Sequence, residues 1–202
     1  MNPRSARAAN DHAPTAKRSA AGSAANEPTA RAAAAPRARD AIVLLKADHA
    51  EVKKMHRQYK KLADAGADAA SRGALAIQLC HALTAHATAE EELFYPAARE
   101  ALEDQDLVDH ADVEHACAKE LIGQIETMQP DDSHYDAKVL VLFEYVDHHV
   151  KEEEGELFPA CREAGTMDLK ALGAAIAERK AAILADLKAT HPHHHDNGAR
   201  PA

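Results

Sequence analysis

Two stretches of this chain repeat one pattern: a histidine, a glutamate four residues on, and a proline six residues after that. The first is HATAEEELFYP, with His86, Glu90 and Pro96; the second is HVKEEEGELFP, with His149, Glu153 and Pro159. Residues four apart lie one above the other on an α-helix. Each copy therefore aims an imidazole and a carboxylate in the same direction. That pairing suits a metal such as iron, which accepts both nitrogen and oxygen ligands.

Apolar residues recur at steps of three and four from Asp40 to about Thr190, the mark of amphipathic helices. The first segment carries Ile42, Leu45, His49, Val52, His56 and Tyr59 on one stripe, with Asp40 as N-cap and an end near Gly66. The second carries Leu75, Leu79, Ala82, His86, Glu90, Leu93 and Ala97. The third carries Val108, Ala111, His115, Ala118, Ile122 and Ile125 and closes around Pro130. The fourth carries Val139, Leu142, Val146, His149, Glu153 and Leu157, and a shorter fifth helix is expected over about 168–189. Four long helices with short connections predict an all-α fold, an antiparallel four-helix bundle with the additional C-terminal helix packed outside it or at one end.

Composition excludes several other classes. The formal net charge of −9 argues against nucleic acid as a specific partner. No apolar run reaches membrane-spanning length and no secretory signal core follows the N-terminus, so a cytoplasmic protein without a membrane partner is expected. Cys80, Cys117 and Cys161 have no Cys-x-x-Cys spacing and read as reduced thiols. Residues 1–39 hold Arg4, Arg7, Lys17, Arg18, Arg31, Arg37 and Arg39 against Asp11 and Glu27, with almost no large apolar side chain. A disordered basic arm is expected there, a helical domain over 40–190, and a polar tail with His191, His193, His194 and His195 over 191–202.

Six residues stand where apolar ones belong: His49, His86, Glu90, His115, His149 and Glu153. A buried carboxylate without a cation or partner is very costly, so two of them, each one turn from a histidine, imply concentrated positive charge inside the bundle. The pattern also repeats on a larger scale. Asp48-His49 recurs as Glu114-His115, 66 positions on, and His86-x-x-x-Glu90 as His149-x-x-x-Glu153, 63 positions on. Helices 1 and 2 thus read as one hairpin and helices 3 and 4 as another. Packed together, they would offer two equivalent ligand sets of two histidines and one glutamate, with carboxylates able to bridge two metal ions.

The order His49, His86-x-x-x-Glu90, His115, His149-x-x-x-Glu153 resembles the hemerythrin-like, or HHE, cation-binding domains over about residues 40–160. The resemblance implies a four-helix bundle holding a non-haem di-iron site, two iron ions per chain with oxo and carboxylate bridges, bound by those six residues. It also implies a small diatomic or peroxide ligand: members of the family bind oxygen, sense oxygen or iron, or process nitric oxide and peroxide. Oxygen-carrying members have a further histidine where this chain has Lys119, and a His-x-x-x-x-Asp spacing where it has His149-x-x-x-Glu153. A less saturated site of this kind favours stress handling by peroxide or nitric-oxide turnover, or sensing by ligand change, over oxygen carriage. A non-catalytic regulator or iron store, with the basic arm contacting an unidentified protein partner, is the alternative. A ferritin-like carboxylate protein would need Glu-x-x-His on two helices, which this chain lacks.

Around the six, Glu91, Glu92, Glu152 and Glu154 read mostly as a solvated face, with any of them able to orient a ligand imidazole. His56, Tyr59 and Tyr145 fall near inner stripes and read as core packing. His81 and His148 lie off the ligand stripe, and Cys117 should point away from it.

Overall fold

A computed structural model describes residues 39–190; but for Arg39, the basic arm and the histidine-containing tail lie outside the described residues. The bundle is built from α1 (Ala41–Asp64), α2 (Ala69–Ala89), α4 (Asp106–Thr127) and α5 (Tyr135–Glu152). Two of them, α1 and α2, start where a side chain supplies an acceptor for an otherwise unpaired N–H. Asp40 accepts from Val43 N at 3.2 Å, and Asp68 accepts from Ser71 N at 2.8 Å. Gly66 follows α1 at φ 63°, the left-handed conformation that closes a helix cheaply only with glycine. The all-α bundle expected from the sequence is the fold observed.

Neither helix that carries a His-x-x-x-Glu pair is a simple α-helix. After Ala89 the chain makes a π-helical turn, π1 (Glu90–Phe94), before continuing as the short α3 (Tyr95–Ala101). After Glu152 it makes π2 (Glu153–Leu157) before α6 (Phe158–Ala164). Tyr95 N–H donates to Glu90 O and Phe158 N–H to Glu153 O, five residues back instead of four. Each π turn ends just before Pro96 or Pro159, whose rings cannot donate and would crowd a carbonyl four residues back. The extra residue shifts the helix phase by one position. This corrects the second stripe: beyond Glu90 the buried residues are Phe94, Tyr95 and Ala98, while Leu93 and Ala97 are only partly buried.

The apolar core falls into two clusters. One gathers Ile42, Leu45, Phe94, Val108, Leu157 and Phe158; the other gathers Val52, Leu79, Leu83, Ile122, Leu142 and Val146. The four histidines and two glutamates lie between them in sequence on every helix. In the second cluster Tyr59 donates to Asp136 Oδ1 at 2.5 Å, and Arg72 pairs with the same oxygen, so α1, α2 and α5 share one polar clasp. Tyr59 is core, as expected, and far along α1 from His49.

The fifth helix, α7 (Leu169–Thr190), packs outside the bundle along α1 and α2. It approaches very closely at Gly173, where an added Cβ would lie 2.0 Å from Arg39 O and 2.8 Å from Ala41 N. Backbone cannot yield as a flexible side chain can. Gly173→Ala is therefore expected to destabilise the fold by about 1–3 kcal/mol. Gly123→Ala, at an exposed mid-helix position with nothing within 4 Å of the new methyl, should stabilise it by about 0.5–1 kcal/mol. Denaturant unfolding of both variants checks this pair of opposite signs.

Candidate metal centre

All six singled-out residues converge in one buried layer. Glu90 is 0 % and Glu153 1 % exposed, and the four histidines are buried beside them. His49 Nε2 lies 3.1 Å from His86 Nε2, and His115 Nε2 lies 3.0 Å from His149 Nε2, so each hairpin supplies one pair. The glutamates join the pairs. Glu90 Oε2 is 2.9 Å from His86 Nε2 and 3.6 Å from His115 Nε2. Glu153 Oε2 is 3.3 Å from His49 Nε2 and 3.4 Å from His149 Nε2.

The outer nitrogens fix which way these rings face. His49 Nδ1 meets Glu154 Oε1 at 2.9 Å and His115 Nδ1 meets Glu91 Oε1 at 3.0 Å, each across hairpins. His86 Nδ1 meets Asp48 Oδ2 at 3.4 Å and His149 Nδ1 meets Glu114 Oε2 at 2.9 Å, each within a hairpin. The pattern obeys the internal repeat throughout. A carboxylate at each Nδ1 holds the proton there and leaves the Nε2 lone pair facing inward. Two such lone pairs at 3.0–3.1 Å repel unless a cation or a proton lies between them.

The carboxylates point to the same requirement. Both oxygens of Glu90 and Glu153 Oε2 are buried without a hydrogen bond. Leaving an ionised carboxylate so is very unfavourable. The donor set of four imidazoles and two carboxylates fits divalent or trivalent transition ions that accept nitrogen and oxygen. Three clusters of candidate ligands occur among the described residues: His49, His86, Glu90 and Glu153; Glu90, His115 and His149; and a surface group of Glu114, His148 and Glu152.

One neighbour went unnoticed in the sequence. Tyr95 donates to Glu153 Oε1 at 3.1 Å, and its hydroxyl lies 3.2 Å from His115 Nε2. Its ring packs on His115 with centroids 5.3 Å apart, as Phe158 stacks on His49 at 5.8 Å. Burial, together with the charges of Glu90 and Glu153, raises the Tyr95 phenol well above its ordinary value and keeps its proton in place. Register alignment of the two copies pairs Tyr95 with Phe158, and that was the available signal; α-helical spacing counted from Glu90 pointed elsewhere because it missed the π turn.

Of the other residues considered, Glu91 and Glu154 orient the His115 and His49 rings, while Glu92 pairs with Arg179 of α7 at 2.5 Å. Lys119 pairs with Glu91 at the surface. His56 stacks on Phe143 with centroids 3.4 Å apart and is partly exposed, away from the cluster. Tyr145 is a correction: it is 47 % exposed, not packed in the core, because its side chain lies outside the buried stripe at the mouth of a cavity. That cavity, about 30 Å³, runs to His49, His86, His115 and His149 between Val52, Leu83, Ile122 and Val146. It has room for a water-sized molecule and little more.

Residues 40–161, more than half of the chain, match the family described as the hemerythrin HHE cation binding domain. The chain belongs to the hemerythrin HHE family. A crystal structure of a hemerythrin HHE cation binding domain-containing protein from Mycobacterium kansasii shares the fold, with a TM-score of 0.61 at 24% identity. The alignment covers 73% of this chain and 89% of that one. A DNA nickase from Nostoc sp. (strain PCC 7120) is 38% identical over 85 residues, 42% of this chain. That match spans only 24% of the nickase, so what the two have in common is a segment. No helix among the described residues is long and apolar enough to cross a membrane.

The HHE cluster holds a proton firmly when no cation is bound. Burial opposes a charged His86 ring, but Glu90, Asp48 and Glu153 outweigh it and push its pKa up to about 10. The ring's charged form thus stabilises the metal-free fold fully below its unfolded value of about 6.5, and this contribution is lost as pH rises toward 10. Chelator-stripped protein is expected to melt lower at pH 9.5 than at pH 6.5. Metal-loaded protein should lose much less over that interval, because bound metal keeps the ring neutral throughout.

Proposed function

We propose that His49, His86, His115, His149, Glu90 and Glu153 hold two iron ions in this protein, and that the centre binds dioxygen, peroxide or nitric oxide in stress handling or in iron or oxygen sensing. The observation that carries the reading is the pairing of all four Nδ1 atoms with carboxylates while all four Nε2 atoms converge on Glu90 and Glu153 Oε2, buried oxygens without a hydrogen bond. His49 and His86 would serve one ion, His115 and His149 the other, with Glu90 and Glu153 shared between them. Bound iron would supply Lewis acidity and electrons to a small ligand.

The chain's own residues do the rest. Val52, Leu83, Ile122 and Val146 line a cavity whose size favours a diatomic or peroxide over a larger substrate. Tyr95 donates its hydroxyl proton to Glu153 Oε1 beside His115 and so fixes that carboxylate. Asp48, Glu91, Glu114 and Glu154 hold a proton at each Nδ1 and keep each Nε2 turned inward. Lys119 supports Glu91 rather than adding a ligand, which leaves positions for the exchangeable molecule.

Reconstitution with Fe(II) without oxygen, followed by metal analysis and an optical spectrum after exposure to air, tests the reading. About two irons per chain and an oxo-to-iron absorption band are expected from the two ligand sets. Less than one iron, with no such band, would overturn it. Catalytic loss of peroxide or nitric oxide would mark an enzyme; ligand binding without turnover would mark a sensor.

Two variants separate ligands from their supports. Glu90→Ala should abolish the paired-iron band and sharply lower bound iron. Glu91→Gln should keep the band but weaken iron affinity about 10–100-fold in a chelator competition, since it disturbs His115 only through Nδ1.

A further inference from the structure

The second motif contains two His-x-x-x-Glu frames, not one. In HHVKEE, His149 and Glu153 turn inward, while His148 and Glu152, one position earlier, turn outward. The first copy has Ala85 and Ala89 at the matching positions, so the outward frame is not a by-product of the internal repeat.

We infer that His148, Glu152 and Glu114 form a second, surface site for a divalent first-row transition ion, which captures metal on its way to the buried centre. The ion-binding part stands by itself; the capture role rests on the proposed metal centre. His148 Nε2 lies 3.2 Å from Glu152 Oε1 on its own helix and 3.5 Å from Glu114 Oε1 on α4. Ligand atoms around a tetrahedral ion with bonds of about 2.0–2.2 Å are spaced about 3.3–3.6 Å apart. The three side chains therefore already stand near ligand spacing. The side chains of His148, Glu152 and Glu114 are 66 %, 37 % and 19 % exposed, so water can complete the shell and ions can exchange.

An exposed His–Glu pair one turn apart is common on helices and is only weakly stabilising. That does not account for a third donor arriving from another helix. Glu114 is also shared: its Oε2 accepts from His149 Nδ1 at 2.9 Å while its Oε1 faces His148. One carboxylate thus separates the surface group from a proposed buried ligand. One nitrogen and two oxygens, without sulfur, suit Fe(II), Mn(II), Co(II) or Zn(II) rather than a soft ion.

The test uses the full-length protein with iron already loaded and its optical band recorded. Co(II) binding is measured by equilibrium dialysis for wild type, His148→Ala and Glu152→Gln, both changes lying on an exposed helix face. The C-terminal histidines contribute equally in all three proteins, so the difference reports the site. Each variant is expected to lose one cobalt per chain or bind it about tenfold more weakly, with iron content and band unchanged. Superimposable cobalt isotherms would overturn the site. In a second arm, Fe(II) uptake by metal-stripped His148→Ala should be several-fold slower yet reach the same final content. Equal uptake rates would overturn the capture role. Failure of the buried centre would show separately, as missing iron in wild type.

Discussion

Everything in this bundle is arranged around two carboxylates that water cannot reach. Glu90 and Glu153 are essentially unexposed in a layer bounded above and below by apolar side chains. Their charge must be met inside the protein. Four imidazoles meet it, and four further carboxylates outside those imidazoles keep each ring facing inward. The cost of burial is offset by a cation of appropriate kind, or in its absence by protons, as the raised His86 value shows. Glu153 gives the complementary view. Burial would raise its carboxyl, yet His49, His149 and His86 hold it well below the ordinary range.

The π turns are what make this layer possible on two helices at once. Helical spacing from His86 and His149 turns Glu90 and Glu153 inward, and within the π turns that begin there Glu91 reaches His115 and Glu154 reaches His49 of the opposite hairpin. The extra residue also re-phases the helix so that Tyr95 and Phe158 arrive on the rings of His115 and His49. The two halves differ here. One aromatic carries a hydroxyl bonded to Glu153 and the other does not, so the two proposed ion positions are chemically distinct.

Much of the site was legible because helical periodicity and the internal repeat both select His49, His86, Glu90, His115, His149 and Glu153. What stayed hidden had physical reasons. Asp48 and Glu114 were visible only as markers of the repeat, since one-residue spacing on a helix does not reveal that a side chain folds across to a neighbouring helix. Tyr95 was obscured by a hydrogen-bond shift from four residues to five, which leaves no trace in residue type beyond the proline that follows. Tyr145 was assigned inward by proximity to His149, though three residues before that position lies Val146, which takes the buried place.

The fifth helix has a consequence that its position outside the bundle disguises. Lys180 of α7 pairs with Asp48, the carboxylate that also holds His86 Nδ1, and its neighbour Arg179 grips Glu92 at 2.5 Å. Opposing those pulls, burial alone would raise the Asp48 carboxyl; His86 and Lys180 together keep it ionised. The matching carboxylate in the other half, Glu114, faces His148 instead of a lysine. His86 is thus linked through Asp48 to the chain's C-terminal helix, and His149 through Glu114 to the surface. A shift of α7 would act on His86 directly through Asp48 and, through Arg179 and Glu92, on the π turn that carries Glu90 and Glu91, whereas His149 is linked through Glu114 to the surface instead.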